Sequence, residues 1–475
     1  MAFQDYAKFD ALGLADLVAK RDVTPAELVE EAIARVERHN PKINAVVFKT
    51  FDRARSAAKL PVQGPFAGVP FLLKDILGTQ KGVPTRQGSN FLPPVPAPHD
   101  ATLVRRFTAA GLISIGKTNV PEFGLVPTTE PTIYGSCNNP WELDHSSGGS
   151  SGGSGAAVAA GIVPIAHAND GGGSIRVPAS ANGLVGLKPT RGRNPLGPDL
   201  GDIMGGLVCE HVVTRSVRDT AAALDVTAGN EQGDPYWAPP KPKSYLEESK
   251  TAPGKLRIAF STTNIFGKKF DPECVTAIQS TAKLLESLGH NVEEASPTIA
   301  VDQLMQSFMP IWASGLAMLI DGTAMMTNRP PHESDFQGMT WGLYQMGKTI
   351  TAAQYQMCWF MLHSIARQVA HFHETYDVWM ATTMGAPPVR NGTFDFHEKD
   401  PVKAFAPIID YLPVTPLQNA TGQPAITLPL HWAANGLPVG LHFAGRFGDE
   451  TTLLRLAGQL EQVKPWANRH PPIWN

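Results

Sequence analysis

Two glycine- and serine-rich segments constrain this chain more than any other feature. His145-Ser146-Ser147-Gly148-Gly149-Ser150-Ser151-Gly152-Gly153-Ser154-Gly155 is followed by Asp170-Gly171-Gly172-Gly173-Ser174-Ile175-Arg176. Glycine belongs where backbone takes unusual φ/ψ or approaches a ligand closely. Such segments can crowd main-chain N–H groups around a reacting oxygen, and they bring serines to the same place. The bland alternative is a flexible linker. Against it, Ala156-Ala157-Val158-Ala159-Ala160 continues the first segment directly as an apolar helix.

Upstream, Phe66-Ala67-Gly68-Val69-Pro70-Phe71-Leu72-Leu73-Lys74-Asp75 sets a lysine at the end of an apolar, strand-like run. By itself such a lysine reads as an exposed charge at a strand end. Desolvated beside serines, it loses affinity for its proton and can act as a base. Lys74, Ser150 and Ser174 are then the parts of a serine hydrolase that needs no histidine. Amide hydrolysis also requires a stabilised oxyanion and a proton for the departing amine. The N–H groups of Gly171, Gly172, Gly173 and Ser174 are the expected oxyanion hole, where removing one donor typically costs about 2.7–4 kcal/mol. Asp170 and Arg176 are expected to pair and hold the loop.

On these residues the chain resembles the amidase signature family. The similarity takes in the Ser150 to Ser174 spacing and the Val69-Pro70 approach to Lys74. It extends through Gly116-Lys117-Thr118-Asn119, Asn419-Ala420-Thr421-Gly422-Gln423-Pro424-Ala425-Ile426 and Gly436-Leu437-Pro438-Val439-Gly440, thinning between about 230 and 400. Within the family, Ala166-His167-Ala168-Asn169-Asp170 and Asn139-Pro140-Trp141 look most like hydrolases of the cyclic 6-aminohexanoate dimer. The resemblance implies Ser174 as nucleophile, Ser150 as a bridging serine after a cis Gly149–Ser150 peptide, and Lys74 as the base behind it. It implies no cofactor and no metal. One departure is Gly171, where the family commonly has a residue with a side chain; the expectation is extra space for bulkier acyl groups.

The resemblance also implies an α/β fold, a large twisted mixed β-sheet covered by helices on both faces. The sequence pattern agrees. Thr24-Pro25-Ala26-Glu27 opens a helix reaching Asn40, and Asp100 is expected to cap another through Phe107. Strands are expected at Leu112–Ile115, Leu256–Phe260 and Val439–Phe443, alternating with helices at Cys274–Leu288 and Thr451–Val463. Residues 1–475 read as a single domain, with a surface loop over 230–254 and a helical substrate-side region at about 300–375. That region holds most of the methionines, among aromatics such as Phe308 and Trp312. It reads as an ordinary buried layer for most positions and, in part, as a deformable wall beside the site. The expected acyl pocket draws on Gly124, Leu125, Phe308, Trp312 and the Gly197–Leu207 loop.

A net charge of −3 without a basic stripe argues against a nucleic-acid partner. Four scattered cysteines have neither metal-ligand nor disulfide-scaffold spacing. No signal peptide is evident, and the longest apolar stretch, near 156–166, is too short to span a bilayer. The expectation is a cytoplasmic protein with no membrane partner, with room for a homodimer. Gly111-Leu112-Ile113-Ser114-Ile115-Gly116-Lys117-Thr118 matches a P-loop literally, but a strand occupies the positions where the phosphate-cradling turn belongs. Gly148-Gly149-Ser150-Ser151-Gly152 matches a nucleophile elbow, but no strand leads into it. His371 and His373, two apart on a helix, point away from each other and make no metal site.

The expected activity is hydrolysis of C–N bonds in small-molecule amides: hydrophobic or aryl amides, ω-amino-acid oligomers or cyclic amides, and carbamates. The alternative is the glutamine-hydrolysing subunit of a tRNA-dependent amidotransferase, which carries the same signature. The apolar, Met-rich middle favours a hydrophobic substrate over glutamine.

Overall fold

The structure, a computed structural model, describes residue 3 and residues 5–474. Its strands are β1 (Val46–Lys49), β2 (Pro70–Lys74), β3 (Ile113–Thr118), β4 (Ile165–Asp170), β5 (Val185–Lys188), β6 (Cys209–Thr214), β7 (Arg257–Phe260), β8 (Asn291–Glu294), β9 (Val378–Thr382), β10 (Ala425–Trp432) and β11 (Pro438–Gly445). They join in one mixed sheet, ordered β1-β3-β2-β4-β6-β5-β10-β11-β9-β7-β8. The triplets β3-β2-β4 and β9-β7-β8 are parallel, and the pairings between β4 and β9 are antiparallel.

The run Pro70–Lys74 is apolar up to its last residue because β2 lies inside the sheet and is buried along its whole length. Strands covered on both faces need no polar alternation. β2 and β4 are parallel neighbours, so their last residues, Lys74 and Asp170, emerge at one edge. The two glycine-rich segments feed the helices Gly152–Ala159 and Arg176–Asn182, buried on every side. Small residues allow this: a Cβ on Gly153 would lie 2.3 Å from the Asn119 nitrogen. Other helices cover the sheet, including Val217–Thr227 against β6 and Pro272–Ser287 against β9 and β11.

The helix begun at Thr24 runs Pro25–Ile43 and carries the expected reciprocal cap between Thr24 and Glu27. Asp100 does not cap the next helix, which starts at Thr102; its carboxylate accepts instead from the Lys81 N–H, at 2.7 Å. β3 covers Ile113–Thr118, so the P-loop match is a strand. The helical region comprises Val301–Thr327, Gly338–Thr349 and Ala352–Thr375. Val301–Thr327 is long and apolar enough, by length and composition, to cross a membrane, which corrects the choice of 156–166 as the longest apolar stretch. Here its Leu304, Ile311, Leu316 and Ile320 are buried in the protein core. All four cysteines are buried free thiols.

Candidate active site

Lys74 is completely buried where β2 ends, with Nζ 2.8 Å from Ser150 Oγ, 2.6 Å from Asn169 Oδ1 and 3.3 Å from the Asn169 carbonyl oxygen. Burial lowers its pKa to about 7, against the opposing pull of Asp170 and Glu210. The amine is therefore substantially neutral near neutral pH. Its main-chain N–H donates to His167 Nδ1, and His167 Nε2 meets Glu210 Oε1 at 3.1 Å. The Gly149–Ser150 peptide is cis, as the resemblance implies. Gly124, at φ +70°, packs so near that a Cβ there would lie 2.8 Å from Ile76 Cδ1 and 3.1 Å from Ser150 Oγ, so a side chain at this crossing would be strained.

Ser174 stands at the mouth of the helix Arg176–Asn182, its carbonyl taken by Ser151 Oγ at 2.6 Å. The loop before it is locked by Asp170 and Arg176, both fully buried. Arg176 Nε and Nη2 each donate to the carboxylate at 2.9 Å. Burial alone would raise the Asp170 pKa, but the Arg176 guanidinium overcomes it and holds the carboxyl well below the usual carboxylate range. The Asp170 carboxylate also accepts from Gly173 N–H (2.8 Å), Ile175 N–H (3.2 Å) and Asn419 Nδ2 (2.9 Å).

This corrects the expected oxyanion hole. Gly173 N–H is already donated to Asp170 and does not face a substrate oxygen. Among the described residues, the N–H groups of Gly171, Gly172 and Ser174 meet no acceptor and remain the candidate donors. Gly172 is kept in place through its carbonyl, which accepts from Thr415 Oγ1 at 2.8 Å.

Ser174 and Gly172 are among the few polar contributors to an otherwise apolar pocket that opens to solvent. The expected Gly124, Leu125, Phe308 and Trp312 all line it, with Phe308 and Trp312 stacked at 5.8 Å between ring centroids. Met305 and Met309 join them, whereas Met339 is core and Met318, Met325, Met326 and Met357 are exposed. The methionine-rich stretch is thus neither wholly wall nor wholly core. The Gly197–Leu207 loop is not in this wall; its Met204 packs against Gly315 in the core. Nor does Gly171 leave space for substrate. A Cβ there would meet Trp312 Cη2 at 2.8 Å and Val208 Cγ2 at 3.1 Å, so the Trp312 indole already fills the position.

Sequence reasoning missed Asn169 against Lys74, the clamp of Gln418 and Asn419 on Arg176 (3.1 and 2.7 Å), and the contribution of Phe405, Ile408, Ile409 and Leu412 to the pocket lining. The signals were present. Asn419 sits in a recognised motif without an assigned role, and Phe405, Ile408, Ile409 and Leu412 follow the spacing of one helical face.

A family model described as amidase matches residues 27–454. The 6-aminohexanoate-cyclic-dimer hydrolase of Paenarthrobacter ureafaciens is 38% identical, over 98% of this chain and 97% of that protein. A solved 6-aminohexanoate cyclic dimer hydrolase complexed with substrate superposes with a TM-score of 0.93 at 37% identity, covering 99% of this chain and 100% of that one. A bacterial aryl acylamidase superposes with a TM-score of 0.87 at 28% identity, covering 97% of each chain.

Proposed function

Since the chain belongs to the amidase signature family of hydrolases, we propose that it hydrolyses neutral, apolar amides through Ser174, Ser150 and Lys74. Cyclic amides of ω-amino acids and aryl amides are the preferred class, with carbamates open to the same attack. The observation that carries this reading is the pocket beyond Ser174: among the described residues, no charged side chain lines it. A cyclic amide dimer has no charged ends, and an aryl amide none either. Glutamine would bring an ammonium and a carboxylate into that lining, and burying unpaired charge is strongly unfavourable. The amidotransferase reading is correspondingly weaker.

The proposed chemistry builds on the contact of Lys74 Nζ with Ser150 Oγ at 2.8 Å, with Ser174 joined to Ser150 as the resemblance implies. Neutral Lys74 accepts the Ser150 hydroxyl proton as Ser150 takes that of Ser174, and Ser174 Oγ attacks the carbonyl carbon. Negative charge on the carbonyl oxygen meets the free N–H groups of the glycine loop. On collapse, Ser150 gives its proton to the leaving nitrogen and is reprotonated by Lys74. The amine departs and leaves an ester on Ser174. Water then attacks that ester, with its proton removed along the same route and returned to Ser174. A carbamate leaves carbamic or carbonic acid derivatives that lose carbon dioxide.

Assaying the purified chain on a cyclic ω-amino-acid dimer, an aryl amide, an aryl carbamate and glutamine tests this reading. Turnover of the apolar amides by the chain alone is expected. Hydrolysis of glutamine in preference to them would overturn it.

A further inference from the structure

We propose that Asn169 is a positioning residue that sets the direction of proton transfer between Ser150 and Lys74. The inference rests on the proposed serine chemistry and concerns why the lysine lone pair faces Ser150 rather than elsewhere. Three oxygens surround Nζ: Asn169 Oδ1 at 2.6 Å, the Asn169 carbonyl at 3.3 Å and Ser150 Oγ at 2.8 Å. A neutral amine has two N–H bonds and one lone pair. Both Asn169 oxygens are acceptors that cannot donate, and a hydroxyl can do either. The two N–H bonds therefore go to Asn169, and the lone pair is left for the Ser150 hydroxyl proton. Ser150 Oγ is then free to accept from Ser174.

The amide cannot serve equally well turned over. Its Nδ2 donates to the Ile76 carbonyl at 2.9 Å, and a flip would set N–H against N–H at Lys74 and oxygen against oxygen at Ile76. Asn169 is buried, so water offers no substitute partner. The ionisable groups around Lys74 are Asp75 just past the end of its strand, Lys117 on β3, His167 and Asp170 on β4, and Glu210 and His211 on β6. Asp170 and Glu210 act on its charge, and neither holds its Nζ; Asn169 supplies acceptors without adding a charge that would keep the proton on the amine.

The test is the rate at which an alkyl fluorophosphonate labels Ser174, measured against pH, with kcat and KM on an aryl amide beside it. Asn169→Thr and Asn169→Val differ chiefly by one hydroxyl acceptor. The Thr variant is expected to exceed the Val variant in kcat by at least about tenfold, the scale of a hydrogen bond to a charged group, with KM little changed. Asn169→Asp is expected to move the acid limb of labelling upward by about 1–3 pH units, since a carboxylate at this distance holds the proton on the amine. Its rate should recover as pH rises. Equal rates for Thr and Val, or an unmoved acid limb in a folded Asp variant, would overturn the proposal. A wild-type protein that is not labelled at Ser174 would instead refute the serine chemistry itself, and the positioning role with it.

Discussion

The edge where β2 and β4 end and the helical wall facing it are built by opposite means. At the edge, Lys74, Asn169, Asp170, Arg176 and Asn419 are buried and tied by hydrogen bonds of 2.6 to 3.3 Å. The wall of Phe308, Trp312, Met305, Met309, Phe405 and Ile408 meets the pocket with apolar surface alone. Directional bonds in a low dielectric admit one arrangement, and each broken partner is expensive. Apolar packing tolerates exchange when volume is kept. On the proposed function, the first region holds the chemistry in one arrangement and the second leaves the choice of substrate adjustable. Trp312 joins the two, because its ring packs where a side chain on Gly171 would stand.

The largest test of that division is Ser174→Ala. Loss of the nucleophile should lower turnover by at least about a thousandfold, as removal of a triad member does elsewhere. The wall, and with it substrate affinity, should be unaffected. Fluorophosphonate trapping and peptide mass spectrometry should place the label on Ser174; a label on Ser150 would reassign the nucleophile.

Asp170→Ala removes the anchor of the loop and leaves the Arg176 guanidinium buried without its partner. Breaking such a pair costs about 3–5 kcal/mol, so thermal unfolding should show a large fall in Tm. An unchanged Tm would mean that the corner is held by something other than this network.

For Lys74 the effect should depend on the leaving group. Lys74→Ala should slow an amide far more than an activated ester, whose alkoxide leaves without a proton. In the wild type, kcat/KM should fall as pH drops through about 7, because burial sets the Lys74 pKa there and only the neutral amine accepts a proton. An acid limb that persists in Lys74→Ala would assign it to another group.

The smallest effects belong to the wall. Trp312→Ala or Phe308→Ala should shift kcat/KM between short and long acyl chains, on the scale of about 1–3 kcal/mol per methylene. The rate on a small amide such as propionamide should stay near wild type. Gly171→Ala should impair the enzyme by driving a methyl into the Trp312 ring, and Trp312→Leu in the same chain should recover part of the loss. Parallel losses on short and long substrates would make both aromatics core packing.

Much of this was legible beforehand because it is local. The cap at Thr24, the strand expected at Leu112–Ile115 and found at Ile113–Thr118, and the lysine closing an apolar run each follow from a few adjacent residues. The pairing of Asp170 with Arg176 needs only one turn of loop. Asp100 was misread because a good capping residue also makes a good acceptor for a distant N–H, and Lys81 is brought to it by tertiary structure. Gly173 was misassigned for the same reason: its N–H is free in the sequence and taken in the fold.

The sequence by itself determined the candidate reacting groups, since Lys74 closes an apolar run and Ser150 and Ser174 stand in glycine-rich backbone with N–H groups to spare. It also determined that the wall is apolar. Only the tertiary structure decided which side chains share a surface. Asn419 reaches Asp170, Phe405 and Phe308 line the same pocket, and Trp312 fills the space beside Gly171. Such contacts are fixed by where the strands end and how the helices pack. Segments hundreds of residues apart meet within a few ångströms, and no local pattern of charge or hydropathy records the distance between them.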